Sequence, residues 1–218
     1  MATTKKKPAK TKKSTAVAKK PSTKTPAQMR VIIAKDVLAQ IASRRYLPTE
    51  GSWVANSNLG GGVLYRGMDC YIGDRLAEGG RLCKIDARDY VNKVKKCSVC
   101  ALGAIFMSQV SNFGGVTFTD GSHAYDVFED LERSPLKKYF SVGQLELIEA
   151  CFEGLDGAYS GDMVKSSDRV SAQAYYICHK NATKRMTAIM NNIIRNKGTF
   201  VPSQDLTKEM LIEAANFI

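Results

Sequence analysis

Hydrophobic positions divide the chain into a few strongly patterned stretches separated by polar, glycine-rich segments. The densest is Cys97–Val110, CSVCALGAIFMSQV. At about 100° per residue, Val99, Leu102, Phe106 and Val110 fall on one side. Cys97, Cys100, Ala101, Ala104 and Ser108 fall on the other, and only Ser98 and Gln109 make a thin polar stripe. A helix apolar nearly all round belongs inside a protein, so the pattern predicts a buried central helix over this stretch, ended by Phe113-Gly114-Gly115.

Other helices follow from the same periodicity. Ile33, Ala34, Val37 and Ile41 predict an amphipathic helix over Val31–Arg45, and Tyr90, Val91 and Val94 another within Asp86–Lys96. Ser141 and Gln144 have capping-box spacing, and Phe140 and Leu145 that of a hydrophobic staple. They open a helix whose stripe is Leu145, Ile148, Cys151, Phe152 and Leu155, broken by Gly154 and Gly157. Leu155–Arg169 reads as loop, and Val170–His179 as a helix carrying Ala174, Tyr175 and Cys178. Asn181 suits the cap of Ala182–Lys197, where Met186, Ile189, Met190, Ile193 and Ile194 repeat at helical spacing, with Gly198 and Pro202 closing it. Asp205 is then the expected cap of a last helix with Leu206, Met210, Ala214 and Phe217 inward.

Strand signals are short: Ser52–Ala55, Gly62–Tyr65, Arg81–Ile85 and Val116–Thr119. Pro48–Gly51 and Asp120-Gly121-Ser122 read as turns, and residues 56–80 as an irregular insertion. The fold class expected is therefore α+β and predominantly helical. One globular domain over residues 28–218 has a buried central helix and a few short strands, and a basic tail precedes it.

Charge changes this picture at one end only. Among 218 residues the net charge is +11, and residues 1–27 supply +9 of it through nine lysines and no acid. The body carries just +2. A segment of Lys, Thr, Ala, Pro and Ser has too little to bury to offset its ordering entropy, so disorder is expected. Lys5, Lys6, Lys7, Lys10, Lys12, Lys13, Lys19, Lys20 and Lys24 would attract DNA or RNA without sequence preference and with strong salt dependence. The composition is similar to linker-histone tails, and Lys-Lys-Lys-Pro also suits a nuclear import signal in a eukaryotic host. A solubilising leader is the plainer alternative. Lys180, Lys184, Arg185, Arg195 and Lys197, with Tyr175 and Tyr176 just before them, form a candidate second polyanion contact. The alternative there is an ordinary solvated helix face.

Catalytic and metal motifs are faint by comparison. Cys97-x-x-Cys100 has no second ligand pair for zinc, and Cys178-His179 supplies adjacent rather than convergent ligands. A redox role would need an exposed helix N-terminus, whereas the projection assigns both cysteines to close packing. His123, Asp126, Glu129 and Asp130 form an acidic group without EF-hand spacing, and GLDGAYSGDMVK lacks the alternating carboxylates of a calcium loop. Gly60-Gly61-Gly62 matches no nucleotide-binding fingerprint, and no GxSxG elbow occurs. No catalytic, cofactor or metal residue is assigned. The longest apolar run falls far short of the ~20 residues that span a bilayer, and no secretory leader is visible. The expectation is an intracellular protein with reduced thiols and no membrane partner.

Three segments, CSVCALGAIFMS, YFSVGQLELIEACFEG and ATKRMTAIMNNIIRNKGTF, resemble an uncharacterised family of short bacteriophage and bacterial proteins. The likeness spans residues 30–200, with the tail and residues 56–84 as additions. It implies a shared fold and carries no activity. The reading that results is a non-enzymatic, nucleic-acid-associated accessory protein of a phage or virus. Two alternatives stay open: a protein-interaction module that inhibits a host factor, and an enzyme or metal protein built on Cys97/Cys100 or His123/Asp126.

Overall fold

The first helix starts before the apolar periodicity does. Thr25 accepts the Gln28 N–H, the Gln28 side chain accepts the Thr25 N–H, and Pro26 occupies the first turn, where no backbone donor is needed. Helix α1 therefore runs Pro26–Ala42, and not from Val31. The computed structural model describes residues 24–56, 66–67, 85–118, 131–158 and 161–218. Seven α-helices lie among them. After α1 come α2 (Ala87–Lys93), α3 (Ala101–Phe113), α4 (Val142–Glu153), α5 (Ser166–Cys178), α6 (Ala182–Arg195) and α7 (Lys208–Ala215).

The strands are short. β1 (Tyr46–Pro48), β5 (Cys97–Val99) and β2 (Val54–Asn56) form a mixed sheet, with β3 (Arg66–Gly67) on the outer edge of β2. β5 is central, parallel to β1 and antiparallel to β2. β4 (Ile85–Asp86) pairs with β6 (Thr117–Phe118). Of the expected strands, Gly62–Tyr65 lies outside the described residues, as does most of the 56–80 insertion. Ser52–Ala55 is shifted to Val54–Asn56, and the described part of Arg81–Ile85 pairs only at Ile85.

The stretch from Cys97 is not one helix. Its first three residues are the central strand, Cys97 and Val99 buried with Ser98 between them, which is the two-residue alternation of a sheet. Cys100 is extended and caps α3, its Sγ accepting the Gly103 N–H at 3.3 Å. Burial is as expected, since every residue from Ala101 to Val110 is enclosed. The small residues have a definite task. A Cβ on Gly103 would lie 1.7 Å from the Trp53 carbonyl oxygen, so α3 rests directly on the backbone leading into β2. Gly114 ends α3 at φ 58, donating to the Val110 carbonyl.

Around α3 the other helices close one core. Ser141 caps α4 by accepting the Gln144 N–H, and Phe140 and Leu145 are both buried beside the cap. α5 begins at Ser166, a turn earlier than expected, which shortens the loop before it. Thr207, not Asp205, caps α7, and Phe217 is exposed rather than inward. Asp205 is used elsewhere. It accepts from Asn192 at 2.9 Å and from the Tyr175 hydroxyl at 3.1 Å, and it pairs with Arg195.

Candidate nucleic-acid interface

Helix α6 and the residues that flank it carry the basic residues singled out in the sequence, and the two ends differ. At the N-terminal end Arg185 is 1% exposed. Its guanidinium pairs with Glu50, donates to the Tyr176 carbonyl at 3.1 Å, and stacks on Tyr176 at 4.2 Å and Phe152 at 5.5 Å. A group enclosed in this way cannot reach a phosphate, so Arg185 takes no part in holding a polyanion. Arg195 is half-exposed but held by Asp205. Tyr175 is buried with its hydroxyl on Asp205, so it offers no stacking face. Lys180 and Lys184 remain exposed.

Arg185 underlies a cleft of about 570 Å³ whose lining includes Glu50, Gly51, Glu153, Asp156, Gln173 and Tyr176. Glu153 sits at the end of α4 and accepts the Gly51 N–H at 2.9 Å. Its carboxyl is pushed up to about 7, chiefly by burial and also by Glu149 and Glu50, against the opposing pull of the Gly51 N–H and Arg185. A carboxyl that titrates near neutrality can exchange protons. Among the described residues, the lining offers it no serine, cysteine, histidine or lysine as a companion. The cleft is acidic and repels phosphate. It left little trace in the sequence, because its carboxylates come from a turn and from α4, about a hundred residues apart.

At the C-terminal end of α6 the backbone makes a Schellman closure. Gly198 donates to Ile193 at 2.8 Å and Lys197 to Ile194 at 3.2 Å. Lys197 itself takes the left-handed conformation at φ 51, a position glycine usually fills. Gly198 follows at φ 100, and a Cβ there would meet the Ala27 carbonyl oxygen at 2.4 Å. The end of α6 therefore lies against the first turn of α1. Arg30 fastens the junction by donating to the carbonyls of Gly198 and Tyr139.

This junction brings Lys197 beside Lys24, the last lysine of the tail. The two, with Lys35, border a groove of about 640 Å³ floored by Ala27, Val31, Ile32 and Ile194, with Gln28 at its side. None of the three lysines is paired with a carboxylate among the described residues. Lys35 was missed in the sequence because it is a single lysine on an amphipathic helix. Lys5, Lys6, Lys7, Lys10, Lys12, Lys13, Lys19 and Lys20 lie outside the described residues, so of the tail lysines only Lys24 is located.

The remaining chemical candidates are structural or unplaced. Cys97 and Cys100 are enclosed, and burial pushes both thiols up to about 12, so neither supplies a thiolate at neutral pH. His179 is stacked on Tyr175 with Nδ1 at 3.0 Å from the Tyr175 carbonyl oxygen. No group of three metal-ligating side chains occurs among the described residues. His123, Asp126, Glu129, Asp130 and Gly60–Gly62 lie outside them. No described helix is long and apolar enough to cross a membrane. The chain matches no family model, no curated protein and no solved structure.

Proposed function

We propose that the protein is an intracellular, nucleic-acid-associated accessory factor that holds DNA or RNA through backbone phosphates. The observation that carries this reading is the place where the tail meets the fold. There Lys24, Lys35 and Lys197 stand together without a carboxylate partner among the described residues. Positive charge thus continues from nine tail lysines onto one face of the body, although the body as a whole is nearly neutral. Lysines without internal partners are free to replace condensed counterions on a polyanion, which is the main source of sequence-independent affinity. Lys180, just before α6, and Lys184 in its first turn are exposed but do not line the groove.

A salt titration of the full-length chain tests this. Replacing the nine tail lysines by glutamine should remove most retention of DNA or RNA at low salt. It should also flatten the dependence of log K on log salt by about 0.7–0.9 for each phosphate that is no longer neutralised. Unchanged affinity and slope would overturn the proposal. Substitution is preferable to deleting residues 1–27, because Thr25, Pro26 and Ala27 form the cap and first turn of α1.

A further inference from the structure

Phosphate binding explains the rim of the groove but not its floor. The rim is Lys24, Lys35 and Lys197. The floor is aliphatic, from Ala27, Val31 and Ile32 of α1 and Ile194 of α6. A duplex keeps its bases stacked inside and presents phosphate and sugar, so docking it here would leave the floor without a partner. A single strand presents flat, weakly polar base faces next to its phosphates.

The dimensions favour a small occupant. Along α1 the rise from Ala27 to Ile32 is about 7.5 Å, whereas from Pro26, two residues after Lys24, to Lys35 it is about 13.5 Å. A floor that short is less than two turns of helix, too little for the repeated contacts of an amphipathic partner helix. It is also shorter than an extended acyl chain. One or two bases fit it, with lysines beyond them on both sides. Gln28 adds a polar contact: its Oε1 is occupied by the Thr25 N–H at 2.9 Å, which leaves its amide NH2 as a donor for a base edge.

We infer that the groove between α1 and the end of α6 is a seat for single-stranded nucleic acid. Unstacked bases rest on Ala27, Val31, Ile32 and Ile194 while Lys24, Lys35 and Lys197 hold the flanking phosphates. The inference rests on the nucleic-acid reading above and narrows it to strands with accessible bases. Contact with aliphatic side chains tolerates any base, in keeping with a tail that has no means of reading sequence.

The test uses the full-length protein in fluorescence anisotropy with oligothymidylate and with a duplex of equal phosphate number. The single strand should bind about tenfold more tightly, and Val31→Gln with Ile32→Gln should abolish that preference while leaving duplex affinity unchanged. Ile194→Gln probes the same floor from α6, should the double variant fail to fold. With the nine tail lysines neutralised, both affinities should fall and the preference should persist. Equal affinity for both forms in the wild type would overturn the inference and leave the broader reading standing. So would a preference that survives the floor variants. No binding to either form would instead overturn the nucleic-acid reading itself.

Discussion

The two ends of α6 are both basic in sequence and opposite in use. At the N-terminal end Arg185 is buried, paired with Glu50 and packed between Tyr176 and Phe152. At the C-terminal end Lys197 is exposed, has no carboxylate partner among the described residues and stands beside Lys24. One cation has become part of the core; the other has been left available. Charge counted along a helix therefore says little about binding until the partners of each group are known. The chemistry of the two side chains fits their fates. A planar guanidinium can stack on rings and hold a carboxylate, whereas an ammonium is strongly hydrated and stays at the surface.

The comparison can be broken most forcefully at Arg185. Arg185→Met should destabilise the fold by about 3 kcal/mol in denaturant unfolding, because it removes a buried ion-pair partner and two ring contacts. Glu50 is 43% exposed and can turn to water, which keeps the cost near the lower end of that for a fully buried pair. Nucleic-acid affinity of the folded fraction should be unchanged. A large drop in binding with little change in stability would reverse the assignment of the two ends.

Glu153 sharpens the same end. Its folded-state value of about 7 lies above the ordinary 4.5, so the native state holds a proton that the unfolded chain has released between these values. Its contribution is most favourable below about 4.5 and is lost as pH rises through about 7. Glu153→Gln should therefore raise stability by roughly 1–3 kcal/mol at pH 8 and make no difference at pH 4. Thermal melts of both proteins across that range check it, and equal stability at pH 8 would contradict the burial argument.

Lys197→Gly separates function from folding at the other end. Glycine takes the left-handed position without strain, so stability should be unchanged or higher by at most about 1 kcal/mol. Affinity for nucleic acid should nevertheless fall, and the salt slope should drop by about 0.7–0.9. A variant that binds as well as wild type would show that Lys197 touches no phosphate. The smallest expected effect is at the core cysteines: Cys97 and Cys100 should resist alkylation in the folded protein at pH 8, where Cys178, only partly buried, reacts.

Much of the helical layout is legible because its signals are local. Ser141 with Gln144, and Asn181 with the Ile193–Gly198 closure, lie within a few residues of the elements they delimit. The strands are not legible in the same way. In Cys97–Val99 the apolar pattern suits a short buried strand as well as the start of a helix, and the choice is made by β1 and β2, which lie far away in the chain. The cap at Thr25 carried a readable spacing but stood at the end of a lysine-rich segment whose composition masked it. Arg185 is the hardest case, since its partner Glu50 is 135 positions away and only the fold reveals that the charge is spent. The groove was half visible, through Lys24 and Lys197, but their meeting depends on Gly198 packing against Ala27.

The central claim is that nucleic acid meets the C-terminal end of α6 and not its N-terminal end. Cross-linking full-length protein to a photoreactive oligonucleotide, then mapping the modified peptides by mass spectrometry, tests it most directly. Modification within residues 24–35 and 194–197, with residues 176–185 unmodified, is the predicted result. Modification at Lys180 and Lys184 with none around the groove would contradict the account.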